Sequence, residues 1–205
     1  MLYFVRHGQT DWNREPTRCQ GWVDVPLNET GRRQARQEGL RLRSAGIGRI
    51  VSSHLLRAVQ TAEIIREQLG RDVPLDLDER LAESRRGAWE ARLFSEIMAE
   101  DPKAWQHYRE HPETFCFPEG ESLAGQQRRV LAAVRDAAER RCDTLLVTHG
   151  GSVRLLRAFL QETSIGAFHV MSVPNGQILE VPGEGLVERI DAFLAEPGQR
   201  MSPHE

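Results

Sequence analysis

The sequence predicts an α/β sandwich built on a mainly parallel sheet. Short apolar, partly β-branched runs alternate along the chain with longer stretches whose apolar residues recur every three or four positions. Helix-length connections between successive strands suit parallel pairing. The chain has 205 residues, 40% hydrophobic and 28% charged, which is enough to bury one core without disulfides or metal. One domain over residues 1–195 is expected, with a substrate-covering insertion around 93–117 and a mobile polar tail at 196–205.

The elements follow in order. Leu2 to Val5 reads as a buried strand. Residues 7–27 have no period and form a long loop, a length that is usually functional. Asn28 offers an N-cap to a helix carrying Ala35, Leu40 and Leu42. Ile47 to Ser52 is a second strand. Residues 55–69 are an amphipathic helix, with Leu55, Ala58, Val59, Ala62, Ile65 and Leu69 on one stripe. Val73 to Leu77 is a third strand. From 78 to 120 charge, Trp, Pro and Gly blur the pattern, apart from a helix at Leu93–Glu100. Ser122 to Arg141 is a long helix, Thr144 to Thr148 a strand and Gly150 to Leu160 a helix. Phe168–Val173, Gln177–Val181 and Leu186–Ile190 read as strands.

Composition excludes several function classes. Lys and Arg number 27 against 30 Asp and Glu, a net charge of −3, which argues against a general nucleic-acid binder. The longest apolar runs, MLYFV and VLAAV, are far short of a membrane span, and the N-terminus lacks signal-peptide regions. Cys19, Cys116 and Cys142 are scattered and form no C-x-x-C, which suits a reducing cytoplasm. The expectation is a cytoplasmic protein with no nucleic-acid or membrane partner.

In parallel sheets, ligands sit beyond the carboxyl ends of the strands. The first strand ends in Arg6-His7-Gly8. The second ends in Ser52-Ser53, with Arg57 in the first turn of the next helix. The strand at 144–148 ends in His149-Gly150-Gly151, where a helix begins. Taken singly, these are a surface pair, a solvated arginine and a turn. Together they deliver two guanidiniums, two imidazoles and a helix N-terminus to one sheet edge. That charge set asks for a compact multivalent anion, and phosphate fits because guanidinium grips its oxygens in a fork. A neutral His can attack phosphorus, and a carboxylic acid of raised pKa can protonate the leaving oxygen. Glu83 is the candidate acid, held protonated by burial beside a phosphate dianion. Asp78, Glu79 and Glu90 are rivals that spacing does not separate from it. A zinc site on His7, Glu83 and His149 lacks ligand spacing and would face two repelling arginines.

At these residues the sequence resembles the histidine phosphatase (phosphoglycerate mutase-like) superfamily. The resemblance rests on Arg6-His7-Gly8-Gln9-Thr10 with Trp12-Asn13, on Gln20 to Leu27, on Thr30-Gly31 with Gln34-Ala35, and on Ser52 to Ala62. It continues through Glu83, Gly87 to Glu90, Pro118 to Ser122 and Val147 to Gly151, in family order. It implies a three-layer α/β/α fold and a phosphohistidine mechanism without metal or other cofactor. It assigns His7 as nucleophile, Arg6, Arg57 and His149 around the phosphate, and Glu83 as proton donor and then base. Asn13, Gln20, Gly21 and Gly150 are expected to contact substrate. Mutases of the family carry Glu-Arg-x-Tyr-Gly after the acid, where this chain has Glu83-Ser84-Arg85-Arg86-Gly87. The Gly-x-Trp-Glu block is more similar to the phosphatase side, including α-ribazole phosphatases and broad phosphomonoesterases, although Ala91 stands where Gly is usual. The resemblance therefore implies a phosphatase of a small phosphorylated metabolite. The alternatives are a bisphosphate-dependent phosphoglycerate mutase and a silent phospholigand-binding module. Dimers occur in the family, so a homodimer is compatible, although no apolar stripe demands one. Arg85 and Arg86 are either contacts for a second substrate charge or a solvated pair.

Overall fold

A computed structural model describes residues 1–140 and 142–196. Its five strands are β1 (Leu2–Arg6), β2 (Ile47–Ser52), β3 (Leu75–Leu77), β4 (Asp143–Thr148) and β5 (Ile178–Val181), in the order β3-β2-β4-β1-β5. β1 pairs parallel with β4, as does β2 with both β4 and β3, and only the edge strand β5 is antiparallel. The described helices are α1 (Glu29–Leu42), α2 (Leu56–Leu69), α3 (Phe94–Glu100), α4 (Pro102–Glu110), α5 (Leu123–Ala138), α6 (Gly150–Leu160) and α7 (Leu186–Ala195).

The strands bury both faces, and strand periodicity divides their side chains between two cores. Leu2, Phe4 and Leu146 face Val130, Val134, Leu156 and Ile190 of α5, α6 and α7. Tyr3, Val5, Leu145 and Val147 face Leu42, Ala58, Ile65 and Leu69 of α1 and α2. This is the three-layer α/β/α sandwich. A separate aromatic cluster centred on Trp89, Tyr108, Phe115, Phe117 and Phe168 ties α3 and α4 to α6. Among the described residues no helix is long and apolar enough to cross a membrane.

Asn28 caps α1 as expected, its Oδ1 accepting from Gly31 N–H at 2.9 Å. Two strand expectations fail. Leu186–Ile190 lies in α7, whose Leu186 and Ile190, four apart, pack on α5 and the sheet. Five residues containing both spacings do not discriminate the two periods. Phe168–Val173 is a 3-10 turn and a loop. Its carbonyls are taken by arginines in place of a neighbouring strand: Met171 by Arg154, Ser172 by Arg157 and Val173 by Arg6. Helix α4 was not expected from the pattern, and it begins on an Asp101 cap with Pro102 in its first turn. The α5 helix stops at Ala138, with Arg141 outside the described residues, as is the tail from 197.

Candidate active site

The register of β1 on β4 sets Arg6 opposite Thr148, so His7 and His149 leave the sheet side by side. Their ring centroids are 5.1 Å apart with planes inclined at 57°. His7 Nδ1 lies 2.8 Å from the Gly8 carbonyl oxygen. A carbonyl only accepts, so Nδ1 carries the proton and Nε2 keeps its lone pair. Asn175 Nδ2 donates to the His7 carbonyl and anchors the backbone at this point. Burial, and then the charges of Arg57 and Arg6, hold the His7 imidazole well below its usual range, so it is neutral at pH 7. His149 is held low in the same way, by burial first and then by the charge of Arg57. Its Nε2 lies 2.8 Å from Ser53 Oγ, and its buried Nδ1 has no partner among the described residues.

Arg57 spends both Nη groups on backbone, donating to Val23 O at 2.9 Å and Gly21 O at 2.7 Å. Gly21 presents that carbonyl from φ +48°, a left-handed conformation natural to glycine. Arg6 donates through Nη1 to Val173 O at 2.6 Å. Burial lowers the pKa of each to about 10, which leaves both cationic at neutral pH. Asn13 Oδ1 accepts from Thr10 N–H at 3.1 Å, and Gln20 Oε1 from Thr10 Oγ1 at 3.0 Å. Arg6 Nε, Arg57 Nε and Asn13 Nδ2 are buried without a partner among the described residues. Buried polar atoms are almost always paired. A cluster of unpaired donors therefore points to a missing acceptor.

Every site residue expected from the sequence lines one cavity of about 250 Å³, except His149, which lies beside the His7 ring. A larger hollow of about 620 Å³ between α5, α6 and α7 holds none of them.

Glu83 follows a 3-10 turn after β3. Its Oε1 accepts from Ser84 N–H and Gln126 Nε2, both at 3.0 Å, and its Oε2 from Gly151 N–H at 3.1 Å. A Cβ on Gly151 would lie 2.2 Å from Glu83 Oε1, so the close approach requires glycine. Burial raises the carboxyl pKa, but Arg86, the Gln126 amide and the Gly151 and Ser84 N–H groups outweigh it and leave it at about 2. The protein groups around Glu83 therefore favour the carboxylate, and the raised pKa expected beside a phosphate dianion has to come from the dianion itself. Of the free N–H groups opening α6, expected to face phosphate, that of Gly151 is spent on Glu83, and Gly8 abuts the Gly31 backbone instead of opening space for a ligand.

The rival carboxylates separate by position. Asp78 is tied to Arg80, Glu79 is exposed, and Glu90 Oε1 accepts from Trp22 and Arg86 N–H groups and braces the loop. Arg85 stacks over Trp22 on the outside, whereas Arg86 is buried and lines the cavity. Arg154 and Gln126 are not marked in the sequence as site residues, and Tyr108 falls within the 93–117 stretch expected to cover the pocket, without a role of its own. Each comes from a separate helix, and no local motif marks it.

A model of the histidine phosphatase superfamily (branch 1) matches residues 2–192. A probable phosphoglycerate mutase GpmB from Enterobacter sp. is 34% identical, over 97% of this chain and 99% of that protein. The structure of YhfR from Bacillus stearothermophilus superimposes with a TM-score of 0.81 at 37% identity, covering 92% of this chain and 98% of that one. A mycobacterial glucosyl-3-phosphoglycerate phosphatase complexed with VO3 gives a TM-score of 0.75 at 32% identity, covering 86% and 88%. The ordered motifs, the sheet register that pairs the two histidines and the match over nearly the whole length agree: this chain belongs to branch 1 of the histidine phosphatase superfamily and is an enzyme.

Proposed function

We propose that the chain is a phosphomonoesterase that hydrolyses a small phosphorylated metabolite through a phosphohistidine at His7. The observation that carries this reading is His7 with its Nδ1 committed to the Gly8 carbonyl, beside His149 and in one cavity with Arg6, Arg57, Asn13 and Glu83. Nε2 attacks phosphorus while the bond to the ester oxygen breaks. Arg6, Arg57, Asn13 and His149 Nδ1 receive the equatorial oxygens. For His149 to donate there, Ser53 O–H must donate to Nε2, which places the remaining imidazole proton on Nδ1. The phosphoryl charge opposes the low pKa of Glu83, so the carboxylate takes up a proton with the substrate and passes it to the leaving alkoxide. In the second half, Glu83 accepts a proton from water, which attacks phosphorus as the N–P bond breaks.

The test is hydrolysis of p-nitrophenyl phosphate in EDTA, with acid-quench trapping of the phosphoenzyme. Wild type should turn over and trap label, and His7→Ala should lose at least about a thousandfold in rate with no label. Turnover that needs metal, or that survives His7→Ala, sinks the mechanism. The mutase named for the Enterobacter relative is the second reading. A coupled assay in which phosphoglycerate interconversion outpaces phosphate release would establish it. Screening α-ribazole phosphate, sugar phosphates and nucleotides then narrows the substrate.

A further inference from the structure

We propose that Arg86 and Arg154, flanking Tyr108 in the same cavity, form a second anion subsite that receives a further anionic oxygen group carried by the phosphomonoester. The inference rests on the reading of the His7 side as a phosphoryl site and adds a substrate class to it.

Charge is the first observation. The lining holds five arginines and one carboxylate, Glu83. A phosphoryl dianion offsets only half of that excess, and positive charge left within a cavity is costly. The second observation is which arginines keep a donor unpaired. Arg6 and Arg57 belong to the phosphoryl cradle. Arg18 is spent at the rim, donating to Ala91 O and lying 5.6 Å from the Trp12 ring centre. Arg86 is 8% exposed, and its Nε is buried without a partner among the described residues. Its guanidinium carbon lies 5.2 Å from the Phe117 ring centre; its charge also acts on Glu83 and one N–H meets the Cys19 thiol, so the unpaired Nε is what remains for another group. Arg154 sits one turn beyond Gly150 on α6. Its Nε donates to Met171 O at 2.8 Å, and its guanidinium carbon lies 5.4 Å from the Phe168 ring centre. That arrangement holds the side chain and leaves the Nη pair uncommitted. The two charges converge on Tyr108: the Phe117 ring beside Arg86 and the Phe168 ring beside Arg154 both pack on Tyr108, with ring centroids 5.5 and 6.4 Å away, and Arg86, Arg154 and Tyr108 all line the cavity. Two braced guanidiniums beside a phenol suit carboxylate or phosphoryl oxygens.

The experiment is calorimetric binding to His7→Ala protein, which removes turnover from the measurement. Glycerol 3-phosphate is compared with 3-phosphoglycerate, and fructose 6-phosphate with fructose 1,6-bisphosphate. In at least one pair the member with the second anion should bind about tenfold or more tightly. The pair that responds identifies the group as carboxylate or phosphoryl. Arg86→Gln and Arg154→Gln on the same background should each shrink that ratio, and Arg→Lys should restore part of it. Inhibition constants of the same compounds against p-nitrophenyl phosphate hydrolysis by wild-type protein repeat the comparison with His7 intact. Equal binding within both pairs, or a preference that survives both substitutions, overturns the subsite. If p-nitrophenyl phosphate is not hydrolysed but the preference persists, the phosphatase reading fails and the subsite stands.

Discussion

Glu83 shows how far a single side chain departs from its residue type. A buried carboxyl ordinarily resists ionisation. Here one side-chain amide, two backbone N–H groups and Arg86 reverse that, and the folded pKa sits at about 2. A folded pKa below the unfolded one contributes stability above the unfolded value of about 4.3 and loses it as pH falls towards 2. The shift corresponds to about 3 kcal/mol. Glu83→Gln should therefore flatten the decline of unfolding free energy between pH 5 and pH 2, as measured by urea titration. A decline as steep as in wild type would refute the assignment. Ser53 is the second case. Ser53→Ala removes the partner of His149 Nε2 and frees the tautomer. Turnover should fall about tenfold, with a changed 15N tautomer signature for His149 and a stability loss of about 1 kcal/mol. The motif residues His7, His149, Arg6 and Arg57 were legible in the sequence because strand ends announce them. Gln126 and Arg154 were not, because a helix face gives no sign of what packs against it, and Tyr108 was legible only as part of the stretch covering the pocket.

At the scale of elements, local signals sufficed where one periodicity ran long enough. The α2 stripe and the Asn28 cap are examples. Leu186–Ile190 is the counterexample, since five residues fit a strand as well as a helix and docking on α5 decides between them. Ile190 is fully buried in that contact. Ile190→Ala should cost about 2–5 kcal/mol in chemical denaturation. If residue 190 faced solvent on an edge strand, the cost would be well under 1 kcal/mol. The Met171–Val173 loop fails as a strand for another reason. Arg154, Arg157 and Arg6 occupy its carbonyls, so the loop serves the site instead of the sheet.

At the scale of the molecule, the fold keeps two imidazoles neutral inside a field of arginines. The pKa of each lies below the unfolded value of about 6.5, because burial and then Arg57 penalise the charged form. Below that pH the unfolded chain binds two protons that the native chain refuses. Unfolding free energy should therefore fall as pH drops below about 6.5, with a slope that rises towards a limit of about 2.7 kcal/mol per pH unit. Inorganic phosphate should reduce the slope by making protonation of the native site less costly. Replacing both histidines by Asn should remove it. A slope equal in wild type and double variant, measured by guanidinium titration at pH 7, 6 and 5, would show that the histidines are not buried neutral.

The alternation of strands and helices through most of the chain up to α6, the family and the residues at three strand ends belong to the sequence alone, because periodicity and motif are local properties of a chain, whereas α4, α7 and the Met171–Val173 loop do not. The charge state of Glu83, the commitment of each arginine and the company of Arg86, Arg154 and Tyr108 belong to the tertiary structure. Desolvation and Coulomb energy depend on distances through space, and those exist only once the sheet has set β1 beside β4 and the helices have closed over its end.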